Sequence, residues 1–341
     1  MFNVDHLDTI IVSCNRYREI SRFFSELERP VRLNAPLKQK PHNQNEAQTA
    51  LYELHRQFLR CYGLSRGPEN VKGRFDEKVA LVTGAARSLG RSLAVAFAKE
   101  GADLIVNDIC AELATVKYPL GTEERLAEVA EEVRHLGRRC MAVKADVSKA
   151  VEVKSMVRRA VRDLGKIDIL INNAGISTMV DVVNMPDDVW DETIAVNLRS
   201  AFLCSKHVAR QMIRRKYGRI VNVCSVYGLV GAPCAAHYSA SKHGMIGFTR
   251  SLAQELAPYD ITVNALCPAL TDTEMSRAVA NIYTTRGWDQ IASEVGANTL
   301  FPDHRVMTVQ DVTEAVLWLC SDSAKYITGV ALPVDGGFLT N

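Results

Sequence analysis

Lys78-Val79-Ala80-Leu81-Val82-Thr83-Gly84-Ala85-Ala86-Arg87-Ser88-Leu89-Gly90 is the stretch on which the fold turns. Lys78 to Thr83 is an apolar run of strand length. A turn framed by glycines follows. From Ser92 to Glu100 the apolar residues Leu93, Ala94, Phe97 and Ala98 recur at helical spacing, and Gly101 ends the run. The order is strand, turn, helix. Backbone N–H groups at the start of such a helix can hold a pyrophosphate, and glycines let the backbone come close to it. A second strand, Ala102 to Asn107, ends at Asp108. That acid stands near the ~20-residue offset at which a carboxylate accepts from the ribose hydroxyls of a dinucleotide. A glycine-rich turn alone is often only a turn. The strand before it, the helix after it and the acid beyond make dinucleotide binding the better reading.

Outward from this unit, strand-like stretches recur at 103–107, 140–144, 168–172, 219–224, 261–266 and 330–334, with helical stretches between most of them. Alternation of this kind implies βαβ units, hence an α/β fold with a parallel sheet.

A second constellation lies at Tyr238-Ser239-Ala240-Ser241-Lys242, in a helical run from about Ala235 to Ala257. Residues i and i+4 share a helix face, so phenol and ammonium can converge. A nearby cation favours the charged form of a phenol, so Lys242 is expected to lower the pKa of Tyr238 and make it a usable base. Taken alone, the pair is equally a buried tyrosine beside a snorkelling lysine.

Thr83-Gly84-x-x-x-Ser88-x-Gly90, Asn172-Asn173-Ala174-Gly175, Asn197, Ser225 and Tyr238-x-x-x-Lys242 together resemble the short-chain dehydrogenase/reductase family, from about Phe75 to the C-terminus. The resemblance implies a Rossmann-type doubly wound parallel sheet of about seven strands with helices on both faces. It implies hydride transfer between a nicotinamide and a carbinol or carbonyl carbon. Asn197, Ser225, Tyr238 and Lys242 are then the catalytic set. Ser225 holds the substrate oxygen near Tyr238, Tyr238 moves the proton, Lys242 also bonds the nicotinamide ribose, and Asn197 holds a water of the proton relay. The same resemblance assigns the cofactor to Gly84, Arg87, Ser88, Leu89 and Gly90 at the phosphates, and to Asp108 at the ribose. Asp146 and Val147 fall to the adenine, with Asn173, Ala174 and Gly175 where small residues allow close approach. Pro268, Thr271 and Thr273 fall to the nicotinamide end. No metal is implied.

The chain departs from the family pattern twice. Ser88 replaces the middle glycine of the phosphate turn and Ala269 the glycine after Pro268. If either site needs positive φ, a Cβ there costs about 1 kcal/mol. Cofactor signals conflict. Asp108 should accept from a ribose diol and repel a 2′-phosphate, whereas Arg87 stands where phosphate-preferring members carry a base. NAD is favoured, with NADP the alternative. Arg87 would then pair with Asp108 or the pyrophosphate.

Three segments lie outside the core. Residues 1–74 carry a possible strand at Leu7 to Ser13, a charged helical stretch at Arg16 to Glu28, a polar linker at Pro30 to Asn45 and an amphipathic stretch at Glu46 to Tyr62. This extension is either a loosely ordered appendage or an arm packed on the core or a partner subunit. The long connection from Asp108 to Asp146 includes a helix from about Glu123 to Leu136, capped by Thr122. An insert here, with Gly137-Arg138-Arg139 closing the helix, resembles the carveol-dehydrogenase-like subgroup, which includes mycofactocin-associated members. The segment at about 274–305 holds Met275, Ile282, Tyr283, Trp288, Ile291 and Phe301, which are either the wall of a lipophilic pocket under a lid or core.

Composition bounds the rest. Of 341 residues, 47% are hydrophobic, enough for a sizeable core, and the net charge of +2 gives no electrostatic case for nucleic acid. No apolar run reaches the ~18 residues of a membrane span, and the N-terminus lacks the pattern of a signal peptide. Nine scattered cysteines without a C-x-x-C fit reduced thiols, so a cytoplasmic protein is expected. The expected activity is that of an NAD-dependent oxidoreductase on a lipophilic, cyclic secondary alcohol or ketone, working as a homo-oligomer, a dimer or tetramer. Alternatives are an NADPH-dependent biosynthetic ketoreductase or a non-catalytic nucleotide-binding scaffold.

Overall fold

The computed structural model describes residues 73–303 and 305–340. The readings made for residues 1–72 lie outside them. Seven strands form one parallel sheet in the order β3-β2-β1-β4-β5-β6-β7. They are β1 (Val79–Thr83), β2 (Asp103–Asp108), β3 (Cys140–Lys144), β4 (Ile169–Asn172), β5 (Gly218–Val223), β6 (Ile261–Pro268) and β7 (Ala331–Val334). All seven expected strands form, most within a residue or two of the expected ends.

Nine α-helices are described: α1 (Ser88–Lys99), α2 (Glu123–His135), α3 (Ala150–Leu164), α4 (Asp187–Ile194), α5 (Ser200–Arg215), α6 (Ala236–Leu256), α7 (Glu274–Tyr283), α8 (Gly287–Ala297) and α9 (Val309–Cys320). They cover both faces of the sheet. Side chains alternate along a strand, so Ala80 and Val82 of β1 join Leu93, Phe97, Val129 and Val316 on one side. Val79 and Leu81 join Met156, Val208 and Met212 on the other. Burial on both faces explains why the central strands read as unbroken apolar runs. A fully buried leucine or isoleucine here contributes about 1.5–3 kcal/mol. The edge strands differ. β3 alternates in burial, and β7 is only half-buried and carries Pro333, which an edge tolerates.

One boundary is corrected. Helix α1 begins at Ser88, not Ser92. The turn passes straight into the helix, with Gly84 at φ 64° and Ser88 at φ 44°. Ser88 thus occupies the left-handed conformation that glycine accepts freely, while Ala269 is not among the positive-φ residues. The strain foreseen at two sites exists at one.

Candidate active site

Strand order reverses between β1 and β4, and a crevice opens at the carboxyl ends of the strands there. Thr83 ends β1. Its Oγ1 accepts the N–H groups of Asn173 and Ala174, each at 3.0 Å. Asn173 Nδ2 donates to the carbonyls of Thr83 (2.9 Å) and Gly84 (3.1 Å). The side-chain amide therefore ties the two strand ends together. A Cβ on Gly90 would lie 2.0 Å from the Gly84 carbonyl oxygen, so the turn closes only with glycine there.

A cavity of about 590 Å³ runs from this turn across the sheet end, within the range of small-molecule and cofactor sites. Gly84, Arg87, Ser88, Leu89 and Gly90 line one end, and Asp108, Asp146 and Val147 lie beside them. Asn173, Ala174 and Gly175 also line it, as do Pro268, Thr271 and Thr273. Ser225, Tyr238 and Lys242 stand at the other end. Arg87, the N-cap of α1, makes no side-chain cap, which leaves the first amides of the helix open to the cavity. Asp108 is buried. Its carboxyl accepts from Ala86 N–H (3.1 Å) and Cys110 N–H (3.3 Å). Gly121 roofs it so closely that a Cβ would sit 2.7 Å from Asp108 Oδ1.

Asn197 is the one expected site residue that does not line the cavity. It is fully buried behind the wall. A π turn at Ala195–Arg199 joins α4 to α5, and Ser200 N–H reaches back to the Ala195 carbonyl. The helix is therefore distorted around Asn197. Its Oδ1 accepts from Ile176 N–H (2.8 Å), and Nδ2 donates to Ile176 O (2.9 Å) and Ser241 Oγ (3.2 Å).

Two electrostatic expectations are corrected. The Tyr238 pKa is raised, not lowered. Burial pushes the phenol well above its ordinary range, against a smaller opposing pull from a Ser225 hydrogen bond. Lys242 Nζ lies 5.5 Å from the Tyr238 ring centroid and donates to Val223 O at 2.8 Å. Burial pushes its own pKa down. Of the two partners expected for Arg87, Asp108 is not one it meets. Arg87 faces Glu274 at 3.8 Å and lies 5.6 Å from the Tyr118 ring centroid.

The segment expected as a lid forms α7 and α8. Met275 and Ile291 line the cavity, Ile282 and Phe301 are exposed, and Trp288 is buried with Arg277 4.9 Å from its ring. Arg125 grips Glu274 with both terminal nitrogens, at 2.8 and 2.7 Å, joining α2 to the start of α7. Sequence reading singled out neither Glu274 nor Tyr227, whose ring meets Tyr238 edge-on at 6.5 Å. No local spacing signals either contact.

Residues 78–283 match the model of the short chain dehydrogenase family. The chain belongs to that family. It is 40% identical over 274 residues to the (-)-trans-carveol dehydrogenase of Rhodococcus erythropolis, covering 77% of this chain and 98% of that one. It is 37% identical over 260 residues to a 3-oxoacyl-(acyl-carrier-protein) reductase of Staphylococcus epidermidis, covering 76% and 98%. Among solved structures, carveol dehydrogenase from Mycobacterium avium in complex with NAD superposes with a TM-score of 0.75 at 38% identity, over 79% of this chain and all of that one. The protein is thus an oxidoreductase similar to the carveol dehydrogenases. Among the described residues no helix is long and apolar enough to cross a membrane.

Proposed function

We propose that the protein is an NAD-dependent enzyme that interconverts a lipophilic, cyclic secondary alcohol and its ketone, with Tyr238 as the acid/base. One observation carries this reading: Ser225, Tyr238 and Lys242 converge at one end of a cavity whose other end is the Gly84–Gly90 turn and Asp108. The residues fit a dinucleotide. The open start of α1 suits a pyrophosphate and Asp108 a ribose diol. Asp146 and Val147 fit the adenine side, and Gly175, Thr271, Thr273 and Lys242 the nicotinamide side. Bound there, the nicotinamide would accept or give hydride.

The chain's own part is positioning and a proton. Ser225 holds the substrate oxygen by its hydroxyl. Tyr238 donates to that oxygen in reduction and takes the carbinol proton in oxidation. Its raised pKa keeps the phenol protonated, the form that can donate but a weak acid, and a positive charge brought beside it favours loss of the proton. Asn197 serves the proton relay from behind the wall, through the backbone it holds. Asp108 disfavours a 2′-phosphate, and Arg87 is already engaged by Glu274 and Tyr118. The similarity to an NAD-bound carveol dehydrogenase supports the same cofactor. The substrate clause rests on that similarity and on an apolar wall that includes Leu113, Met179, Val196, Met275 and Ile291. Because Arg87 still lines the cavity, an NADPH-dependent biosynthetic ketoreductase is the second reading. We further propose a cytoplasmic homo-oligomer in which residues 75–341 form the catalytic domain and residues 1–74 an appended segment.

Fluorescence titration with NADH and NADPH, followed by a screen of lipophilic secondary alcohols, tests the reading. Tight NADH binding with alcohol-dependent NADH production is expected, and a preference for NADPH moves the assignment to the second reading. Tyr238→Phe should lower turnover roughly 10²–10⁴-fold while sparing NADH binding. Turnover that survives the substitution removes Tyr238 from the mechanism.

A further inference from the structure

The site described so far leaves one buried phenol unused. Tyr118 belongs to the connection between β2 and α2 and is 3% exposed. Its Oη accepts the Ser177 N–H at 3.1 Å. Asn197 holds the carbonyl of the same peptide and the N–H of the peptide before it, through its two hydrogen bonds to Ile176. A Cβ on Gly175 would lie 3.3 Å from Asn197 Oδ1 and 3.8 Å from Lys242 Nζ. The run Gly175–Ser177 is therefore fixed by Asn197 and by Tyr118, and it borders the cavity together with Ser225 and Tyr238.

We propose that Tyr118 is a positioning residue for the reaction, fixing the Ile176–Ser177 edge of the substrate space through the Ser177 amide. The role rests on the oxidoreductase reading above. An N–H deprived of its partner drives the backbone to seek another, and the segment moves. Small displacements at a reacting centre lower the chemical step more than they lower binding. Tyr118 is also where other parts meet. Its ring packs with Val116 and Ile176, Arg87 of the turn lies 5.6 Å from it, and the preceding residue, Lys117, donates its N–H to Tyr283 Oη of α7 at 3.0 Å. Burial pushes the Tyr118 pKa up to about 12, so the hydroxyl stays neutral at working pH.

Tyr118→Phe keeps the ring and removes the oxygen. With it, kcat should fall about tenfold to a hundredfold, with the NADH dissociation constant unchanged and the melting temperature lowered only by the few degrees that one lost hydrogen bond costs. Hydrogen exchange in a peptide spanning Gly175 to Thr178 should quicken. Unchanged kcat with unchanged exchange overturns the proposal. So does a parallel loss of NADH affinity, kcat and thermal stability, which is the mark of general packing. If the unaltered enzyme turns over no alcohol or ketone with either nucleotide, the oxidoreductase reading fails. The exchange measurement then decides alone whether Tyr118 holds the segment.

Discussion

Asp108 places a carboxyl where almost no water reaches, under Gly121 and against the backbone of Ala86 and Cys110. A second anion brought to it would meet little screening, so the residue acts by exclusion as much as by attraction. Asp108→Ala should lower the ratio of kcat/KM for NAD over NADP at least about tenfold, ~1.4 kcal/mol of discrimination. An unchanged ratio in steady-state kinetics would assign selectivity elsewhere. At this scale the sequence was only partly legible. The spacing of Tyr238 and Lys242 put them on one helix face, but spacing says nothing of desolvation. Burial dominates the phenol, and the ammonium is committed to Val223. Likewise Arg87 found Glu274, far along the chain, rather than its near neighbours.

The elements were more legible, because their signals are local. Strand runs and helix periods fixed the sheet, Thr122 caps α2 as its position suggested, and Gly137 turns to φ 76° after the helix. The start of α1 was missed because Ser88 disguises a glycine-like conformation. Helix α9 shows what a cap contributes. Thr308 and Asp311 form a reciprocal capping box, and Arg305 bonds the same carboxyl at 2.8 Å. The Arg305 bond, with help from Thr308, holds the Asp311 pKa at about 2, below its ordinary 3.8. The folded value is depressed, so the stabilisation is present above pH ~3.8 and disappears as pH falls through about 2. Asp311→Ala should cost about 1 kcal/mol in urea unfolding at pH 7. The two proteins should converge near pH 2. A gap that persists there would mean the cap does not act through charge.

At the scale of the whole molecule, α5 and α6 carry the edge-on pair Phe202 and Phe248, with centroids 6.4 Å apart, and Phe202 remains 43% exposed. Trp190 of α4 is also exposed. These rings belong to helices adjoining the Asn197 turn and bearing Tyr238, and their exposure makes this face the candidate for contact between copies of the chain. Phe202→Glu should shift the mass seen by sedimentation velocity toward that of the monomer. An unchanged mass would put the interface on another face. The parallel order also divides the molecule in a second way. Ser225 follows β5, Tyr238 and Lys242 ride on α6, and Asn197 sits in a turn locked to both Ile176 and Ser241. Much of the apolar wall, by contrast, hangs on two connections, 109–122 and 274–305, that lend no strand to the sheet. Tyr118 apart, changes in those connections alter what fits against the site while leaving strand register and the placement of Ser225, Tyr238 and Lys242 as they are. Inheritance can therefore treat appetite and chemistry as separate traits, and a lineage can widen its diet while its reaction stands still.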